Sequence, residues 1–280
     1  MSLKNKIDFA VVFTVKNANP NGDPLNGNRP RENYDGLGEV SDVALKRKIR
    51  NRLQDAGEII FVQSDDRAND GFASLRERAD SLKTLKEAAS KKDTKLYAKA
   101  ACEQWMDVRS FGQVFAFKAD SVSVGVRGPV SVHPAFSVVP VDIESLQITK
   151  SVNSETSDKR GSDTMGQKHR INFGLYAFYG SINCQLAENT GFSEADAEKI
   201  HQALRTLFDN DASSARPEGS LEICRVIWWT HNNQSGQYPS AKVHRSLVIT
   251  PKIDNPLHYS DFDINVEPLP GLLCQDELLR

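Results

Sequence analysis

The order of its secondary-structure patterns constrains the fold of this chain more than any other feature. Residues 7–16 (IDFAVVFTVK) alternate as a half-buried strand does, and residues 42–56 repeat large aliphatic side chains every four positions, as a helix does. Strand-like segments follow at 120–141 and 169–186, then a helical pattern at 193–208 and a last strand-like segment at 221–232. This βαββαβ order predicts an α+β fold with an RRM-like (ferredoxin-like) core.

The predicted core needs only about a third of the chain, so insertions must supply much of the rest. Residues 72–107 are rich in Ala, Lys, Leu and Glu, which predicts a helical insertion. Residues 149–168 are almost devoid of apolar side chains, which fits either a surface loop or an extended hairpin with Gly161 and Gly166 at its bends. The acidic tail 251–280 contains four prolines, so we expect it to be mostly extended and to face protein or solvent.

Composition narrows the class of protein. The formal net charge is −2, so any contact with nucleic acid must be a local track of basic side chains. The four cysteines include no CxxC pair, which favours a reduced protein without a disulfide framework or zinc knuckle. No apolar run reaches the roughly 18–20 residues of a membrane span, and the first residues lack a signal-peptide core. We therefore expect a cytoplasmic protein.

A long polar loop leads into an unusually basic helix. Residues 16–31 read KNANPNGDPLNGNRPR, and residues 46–52 carry five cations. Ser41 is a suitable N-cap and Gly57 a suitable helix end, while Leu45, Ile49 and Leu53 form an apolar stripe. No acid lies between Asp42 and Asp55, so we expect the cations to lack neutralising partners. Either an ordinary solvated helix face or a phosphate-binding surface explains this pattern.

Other candidate features are less specific. Met165 is a lone apolar residue beside Lys168, His169 and Arg170, as a wedge between nucleic-acid bases would be. Phe111, Phe115 and Phe117 fit either an RNA-stacking strand or an ordinary core alternation, and Trp228 and Trp229 are predicted to be core. Enzyme motifs are absent from the sequence. Asp23 or Asp35 could act as a general base, although a turn role next to Pro or Gly is favoured.

Six segments carry a family resemblance: VKNANPNGDPLNGNRPR, VSDVALKRKIRN, DVRSFGQVFAF, VRGPVSV, SDTMGQKHRINFGLYAFYG and TGFSEADA…LFDNDASSARPEGS. Together they resemble the Csd-type backbone subunit of type I-C CRISPR Cascade, a Cas-seven protein of the RAMP superfamily. The resemblance runs from Phe9 to Trp229 and is weaker after Thr250. It implies an RRM-like palm (1–57, 111–136 and 171–250), helical fingers (58–110) and a β-hairpin thumb (137–170), followed by the extended tail (251–280).

The resemblance also implies a function. Such a subunit is not an enzyme: it polymerises head to tail along the crRNA spacer, kinks it at regular intervals and presents it for pairing with target DNA in antiviral defence. The implied partners are crRNA, the target-DNA heteroduplex, further copies of the chain, the repeat-processing subunit that binds the 5′ handle, and the large subunit. No cofactor, metal or membrane contact is implied.

The candidate RNA contacts come from the polar loop, the basic helix and the thumb, together with a few flanking positions. They are Lys16, Asn17, Asn19, Asn21, Arg29, Arg31, Lys46, Arg47, Arg50, Arg109, Phe111, Arg127, Lys150, Met165, Lys168, His169, Arg170, Ser214 and Arg216.

Two alternatives remain open. The first is a metal-dependent RNase backbone subunit, as in type III complexes, with Asp23 as its loop aspartate. The second is a repeat-RNA processing nuclease, which the scattered histidines do not favour.

Overall fold

A computed structural model describes residues 2–117, 123–149 and 165–280. In these ranges the strands are β1 (Ile7–Ala18), β2 (Gly22–Asp23), β3 (Arg29–Pro30), β4 (Leu37–Val40), β5 (Gly112–Phe115), β6 (Val124–Arg127), β7 (Val130–Val132), β8 (Ala135–Pro140), β9 (Ile143–Thr149), β10 (Met165–Ile182), β11 (Leu221–Thr230), β12 (Leu247–Pro251), β13 (Phe262–Val266) and β14 (Leu273–Leu278). The α-helices are α1 (Asp42–Asp55), α2 (Leu75–Asp80), α3 (Lys83–Ser90), α4 (Thr94–Gln104), α5 (Met106–Phe111), α6 (Cys184–Thr190), α7 (Glu194–Arg205) and α8 (Ser240–His244).

The main sheet is antiparallel, with the strand order β14-β11-β1-β10-β8-β4. Its central strand β1 pairs with β10 on one side and with β11 on the other. One face packs on helices α1, α6 and α7 through a cluster that includes Phe9, Phe13, Leu45, Ile49 and Ile200. Burying these side chains supplies the main hydrophobic stabilisation of this layer. The mixed α+β class predicted from the sequence is confirmed.

The second face of the sheet is covered as well. Ala10, Val12 and Trp229 are buried against Val243 of α8 and Leu247 of β12, with β13 completing this layer. The prediction of a half-buried β1 was therefore wrong, because residues 240–266 form a second layer over it. Trp228 and Trp229 are buried, as expected of core residues.

The C-terminal tail, expected to be mostly extended, contributes strands to two sheets. β13 pairs with β12, and β14 joins the main sheet beside β11. The four prolines of the tail lie outside the central part of these pairings, since Pro251 ends β12 and Pro268 and Pro270 precede β14. Edge positions and connections are where proline is tolerated in sheets.

Helices α2–α5 form a separate unit with its own apolar cluster, which includes Phe61, Leu85, Tyr97 and Trp105. A helical insertion at 58–110 was predicted, and these helices lie in or at the edge of that range. The cluster continues into the β5–β6 hairpin through Phe115 and Val124, a segment that the family resemblance assigns to the palm.

The hairpin predicted near residues 137–170 is formed by β9 and the first part of β10, with Thr149 opposite Met165 and Ile143 opposite Ile171. β8, which opens the predicted range, instead belongs to the main sheet. Gly166 lies inside β10 opposite Ile148, so it is not at a bend. Gly161 and Lys150 lie outside the described residues. No helix in the described ranges combines the length and apolarity needed to cross a membrane.

Candidate nucleic-acid interface

The asparagine-rich loop (residues 19–31) contains a tight hairpin. β2 pairs with β3, and Asn28 N donates to the Asp23 carbonyl at 2.8 Å. The Asp23 carboxylate accepts a hydrogen bond from Leu25 N at 3.1 Å and caps a short 3₁₀ turn. Gly27 and Asn28 have φ angles of +57° and +59°, a left-handed conformation that glycine and asparagine adopt most readily. The turn role favoured for Asp23 is confirmed.

Asparagine side chains tie this loop to its neighbours. Asn21 Oδ1 accepts a hydrogen bond from Ser41 N at 2.9 Å, at the start of α1. Asn19 N donates to the Ala215 carbonyl at 2.9 Å, and Asn19 Nδ2 donates to the Asn28 carbonyl at 2.6 Å. The loop, the start of α1 and the segment 211–217 are thus held side by side.

Helix α1 forms as its sequence predicts. The Ser41 hydroxyl accepts a hydrogen bond from Ala44 N at 3.3 Å, which is the expected N-cap. Leu45, Ile49 and Leu53 are buried against the sheet. This packing fixes which side chains of the helix turn toward the loop.

A basic cleft of about 350 Å³ lies between the asparagine-rich loop, α1 and the segment 210–216. Its basic side chains come from three elements and are Arg47, Lys48, Arg67 and Arg216. Asp66 and Asp211 also line it, so the cleft mixes four cations with two carboxylates.

Four of the five cations of α1 have acidic partners, contrary to the expectation from the sequence. Lys46 Nζ lies 3.0 Å from Asp42 Oδ2, one helical turn earlier, and Arg52 lies 2.8 Å from Asp55. Asp42 and Asp55 flank the basic run on its two sides. They reach these cations because residues three and four positions apart are neighbours on a helix.

Partners remote in sequence engage the other cations of α1. Arg50 Nε donates to Asp107 Oδ2 at 2.9 Å, and Lys48 pairs with Asp211. Arg47 donates to the Val62 carbonyl at 2.6 Å. Burial lowers the pKa of Lys48 to about 8, although the Asp211 carboxylate favours the charged ammonium. These side chains contribute positive charge to the cleft while being fixed in place.

Three further candidates lie away from the loop. Arg109 pairs with Asp196 at 2.9 Å, at the N-terminus of α7, and so connects the helical insertion to the main layer. Phe111 ends α5 rather than lying in a strand, and the Arg50 guanidinium is 5.0 Å from its ring centroid. Arg127 is exposed at the end of β6.

A second depression, the hairpin groove, separates the asparagine-rich loop from the β9–β10 hairpin. It measures about 330 Å³ and is lined by both elements and by Ser214. Ser145 Oγ accepts a hydrogen bond from Arg29 at 3.2 Å and lies 2.8 Å from His169 Nδ1, which joins loop and hairpin. Lys168 also lines the groove and is exposed.

The remaining candidates come from β1, the asparagine-rich loop, β10 and the segment 211–217. Lys16 and Asn17 are exposed near the end of β1, and Asn17 has a φ of +51°. Arg31 lies 3.6 Å from Asp23, and Arg170 lies 2.9 Å from Glu144. The remaining two are Arg216, which lies 3.1 Å from Asp211 and lines the cleft, and Met165, the first described residue of β10.

Sequence reasoning missed the residues that orient these cations. Asp107 accepts hydrogen bonds from Phe61 N and Val62 N as well as from Arg50, yet nothing in its local sequence indicates this role. Gly27 and Asn28, which line the hairpin groove, could have been found from their turn-forming sequence. Within the described ranges, His, Cys, Asp and Glu side chains form no group of three that could hold a metal ion.

Comparisons with known proteins agree on one family. Residues 5–267 match the family described as CRISPR-associated protein Cas7. The CRISPR-associated protein Cas7 of Haloferax volcanii is 29% identical over 233 residues, which span 76% of this chain and 67% of that protein.

A solved structure shares the fold. A chain of a pre-nicking CRISPR RNA-guided surveillance complex aligns with a TM-score of 0.51 and 19% identity, over 80% of this chain and 75% of the other. At this identity the likeness is one of fold.

Proposed function

Because the chain belongs to the Cas7 family of CRISPR-associated proteins, we propose that it is a backbone subunit that binds the guide RNA of a CRISPR surveillance complex. The observation that carries this proposal is that the two depressions are neighbours. Ser213 lines the basic cleft and the next residue, Ser214, lines the hairpin groove, and the asparagine-rich loop contributes to both. The cleft supplies positive charge for phosphates, and the adjoining loop offers amide groups at close range.

The sheet supports the proposal that the main layer is an RRM-like palm. Its four inner strands run in the order β11-β1-β10-β8, with α1 and α7 on one face. A βαββαβ chain reaches this arrangement when its two helices pack on the same side. In this proposal the helical insertion is the fingers, and the β9–β10 hairpin is the base of the thumb.

The proposed assembly is a type I-C Cascade in the cytoplasm. Copies of the chain associate head to tail on the crRNA, and each thumb covers the strand at its neighbour and displaces a base at regular intervals. Heterologous contacts that do not close on themselves generate such helical assemblies. Pairing with target DNA then depends on the guide sequence, while the protein contacts backbone and shape. A repeat-processing subunit and a large subunit complete the complex.

We propose that the subunit is not itself a nuclease. The alternative is a metal-dependent RNase that uses Asp23. That carboxylate caps a turn through Leu25 N and lies 3.6 Å from Arg31, so it already has a structural role in the loop. Incubation of the assembled complex with complementary RNA and Mg²⁺ tests the alternative, and regularly spaced fragments that disappear in Asp23→Ala would support it.

The guide-binding proposal is tested by charge removal at exposed positions. Lys16→Ala with Lys168→Ala removes two exposed cations and should weaken guide retention. The salt dependence of binding should fall by about 0.7 per lost phosphate contact. Lys92→Ala with Lys95→Ala is the matched control, because both lysines are exposed on the helical insertion. Equal salt slopes in the two folded double variants would contradict the proposed interface.

A further inference from the structure

The asparagine-rich loop contains both of the asparagine–glycine pairs in the sequence, Asn21–Gly22 and Asn26–Gly27. Asparagine is one of the chemically labile residues of proteins. It reacts most readily before glycine, because a residue without a side chain leaves its backbone nitrogen open to approach. The structure holds these two pairs in different ways.

The pair Asn21–Gly22 is fixed in place. Asn21 Oδ1 accepts the hydrogen bond from Ser41 N at 2.9 Å, and Gly22 pairs with Pro30 in the β2–β3 hairpin. A Cβ atom on Gly22 would collide with the Asn28 side chain, so the backbone is closely packed here. The Asn21 side chain therefore cannot turn toward Gly22 N without breaking these contacts.

The pair Asn26–Gly27 lacks these restraints. Asn26 ends the short 3₁₀ turn that Asp23 caps, and both members of the pair are exposed beside Leu25, which is 96% exposed. The Asn26 side chain forms no hydrogen bond with the described residues. A Cβ atom on Gly27 would meet only His169 Nε2, at 4.0 Å, so the backbone nitrogen of Gly27 lies in an open region.

The reaction available to such a pair is deamidation. Gly27 N attacks Asn26 Cγ, a new N–Cγ bond forms, and the bond between Cγ and the side-chain nitrogen breaks. That nitrogen takes the amide proton of Gly27 and leaves as ammonia. Water then opens the succinimide ring at either carbonyl, which gives aspartate or isoaspartate. The net change consumes one water, releases one ammonia and replaces a neutral amide with a carboxylate.

The new carboxylate would lie next to the hairpin groove. Gly27 and Asn28 line this groove together with Lys168 and His169. A negative charge added at Asn26 partly cancels the positive charge there and repels phosphate. The reaction is also irreversible under ordinary conditions, so its effect accumulates with the age of the chain.

We propose that Asn26 is a deamidation site whose reaction weakens retention of the guide, and that Asn21 in the same loop is protected. The effect on retention rests on the guide-binding function proposed above. The reaction itself does not, because it depends only on the geometry of the loop.

Peptide mapping by mass spectrometry tests the reaction on freshly purified, guide-free protein held in warm, mildly alkaline buffer. Asn26 should convert about tenfold faster than Asn21, because Asn21 must first give up a hydrogen bond. In protein unfolded with urea the two rates should become similar. Equal rates in the folded protein would overturn the proposal, and so would an intact Asn26 after the unfolded protein has reacted.

Guide binding tests the consequence. Asn26→Asp should weaken guide retention about threefold at low salt and less at high salt, because salt screens the added charge. Asn189→Asp, at an exposed position of α6, is the matched control and should bind as the original chain does. Equal affinities of the two variants would refute the effect on retention. If the original chain binds no guide, the guide-binding proposal fails together with this effect, while peptide mapping still decides whether Asn26 reacts.

Discussion

At the residue scale, Asp8 is the least expected feature of the molecule. Its carboxylate is fully buried in the central strand β1, 2.8 Å from His231 Nε2, 3.3 Å from Lys6 Nζ and 3.6 Å from His244 Nε2. Burial alone would raise the pKa of Asp8, but hydrogen bonds with His231 and Ser240, and the charges of Lys6 and His244, hold it below its ordinary value. The sequence placed Asp8 on a polar strand face and gave no sign of partners more than 200 positions away.

Asp8→Asn should destabilise the protein by about 3 kcal/mol or more at neutral pH, because removing one member of a buried ion pair leaves the others uncompensated. Urea unfolding measures this difference, and Asp35→Asn at an exposed loop position is the control. Since the pKa of Asp8 is lowered by folding, its charge stabilises the folded state above the ordinary value of 3.8. The difference between Asp8→Asn and the unmodified protein should therefore persist from pH 7 to pH 5 and shrink as the pH falls below about 4. A difference that grew on acidification would contradict this account.

At the element scale, some features of α1 follow from its local sequence, whereas some of its ion-pair partners depend on the packing of the whole chain. Its N-cap, its apolar stripe and its approximate length follow from residues within the helix, and all were predicted correctly. The partners of Arg50 and Lys48 were not, because Asp107 and Asp211 reach the helix only through the packing of distant segments. The same limit explains the groove residues, which come from four separate parts of the chain.

Two cations of α1 should respond differently to truncation. Arg50→Ala leaves Asp107, which is 1% exposed, without its counter-charge and should cost about 3 kcal/mol of unfolding free energy. Lys46→Ala breaks a partly exposed pair with Asp42 and should cost about 0.5 kcal/mol or less. Urea denaturation of the two variants side by side checks the ranking. Similar costs for both would mean that the Asp107 pair does not stabilise the junction with the helical insertion.

At the scale of the whole molecule, the described residues form three apolar clusters: one on each face of the sheet and one in the helical insertion. The order of the six elements predicted for the core was predictable because each of them carries its own periodicity. The second layer was not, since residues 240–266 contain short strands and prolines whose pairing depends on the sheet they cover. The edge strand β14 was missed for the same reason.

Removal of residues 273–280 should expose the edge of β11 and promote aggregation. β14 pairs with β11 from Arg225 to Thr230, and Asp276 forms an ion pair with Arg225. Unpaired strand edges associate with other chains. Light scattering at increasing protein concentration should show larger particles for the truncated chain than for a control that lacks only Arg280. Equal scattering would show that β14 does not protect this edge.

The length of β10 has a mechanical consequence. One uninterrupted strand runs from the middle of the sheet, where Ile182 pairs with Ile7, to Met165 in the hairpin. At about 3.4 Å per residue, the part beyond Ile171 extends about 20 Å from the sheet. Pairing with β1 holds one end of β10 in the core. The backbone geometry of the strand therefore fixes how far the hairpin reaches. A force on the hairpin is transmitted along β10 to the centre of the sheet. The length of this strand sets the distance between the end of the hairpin and the core.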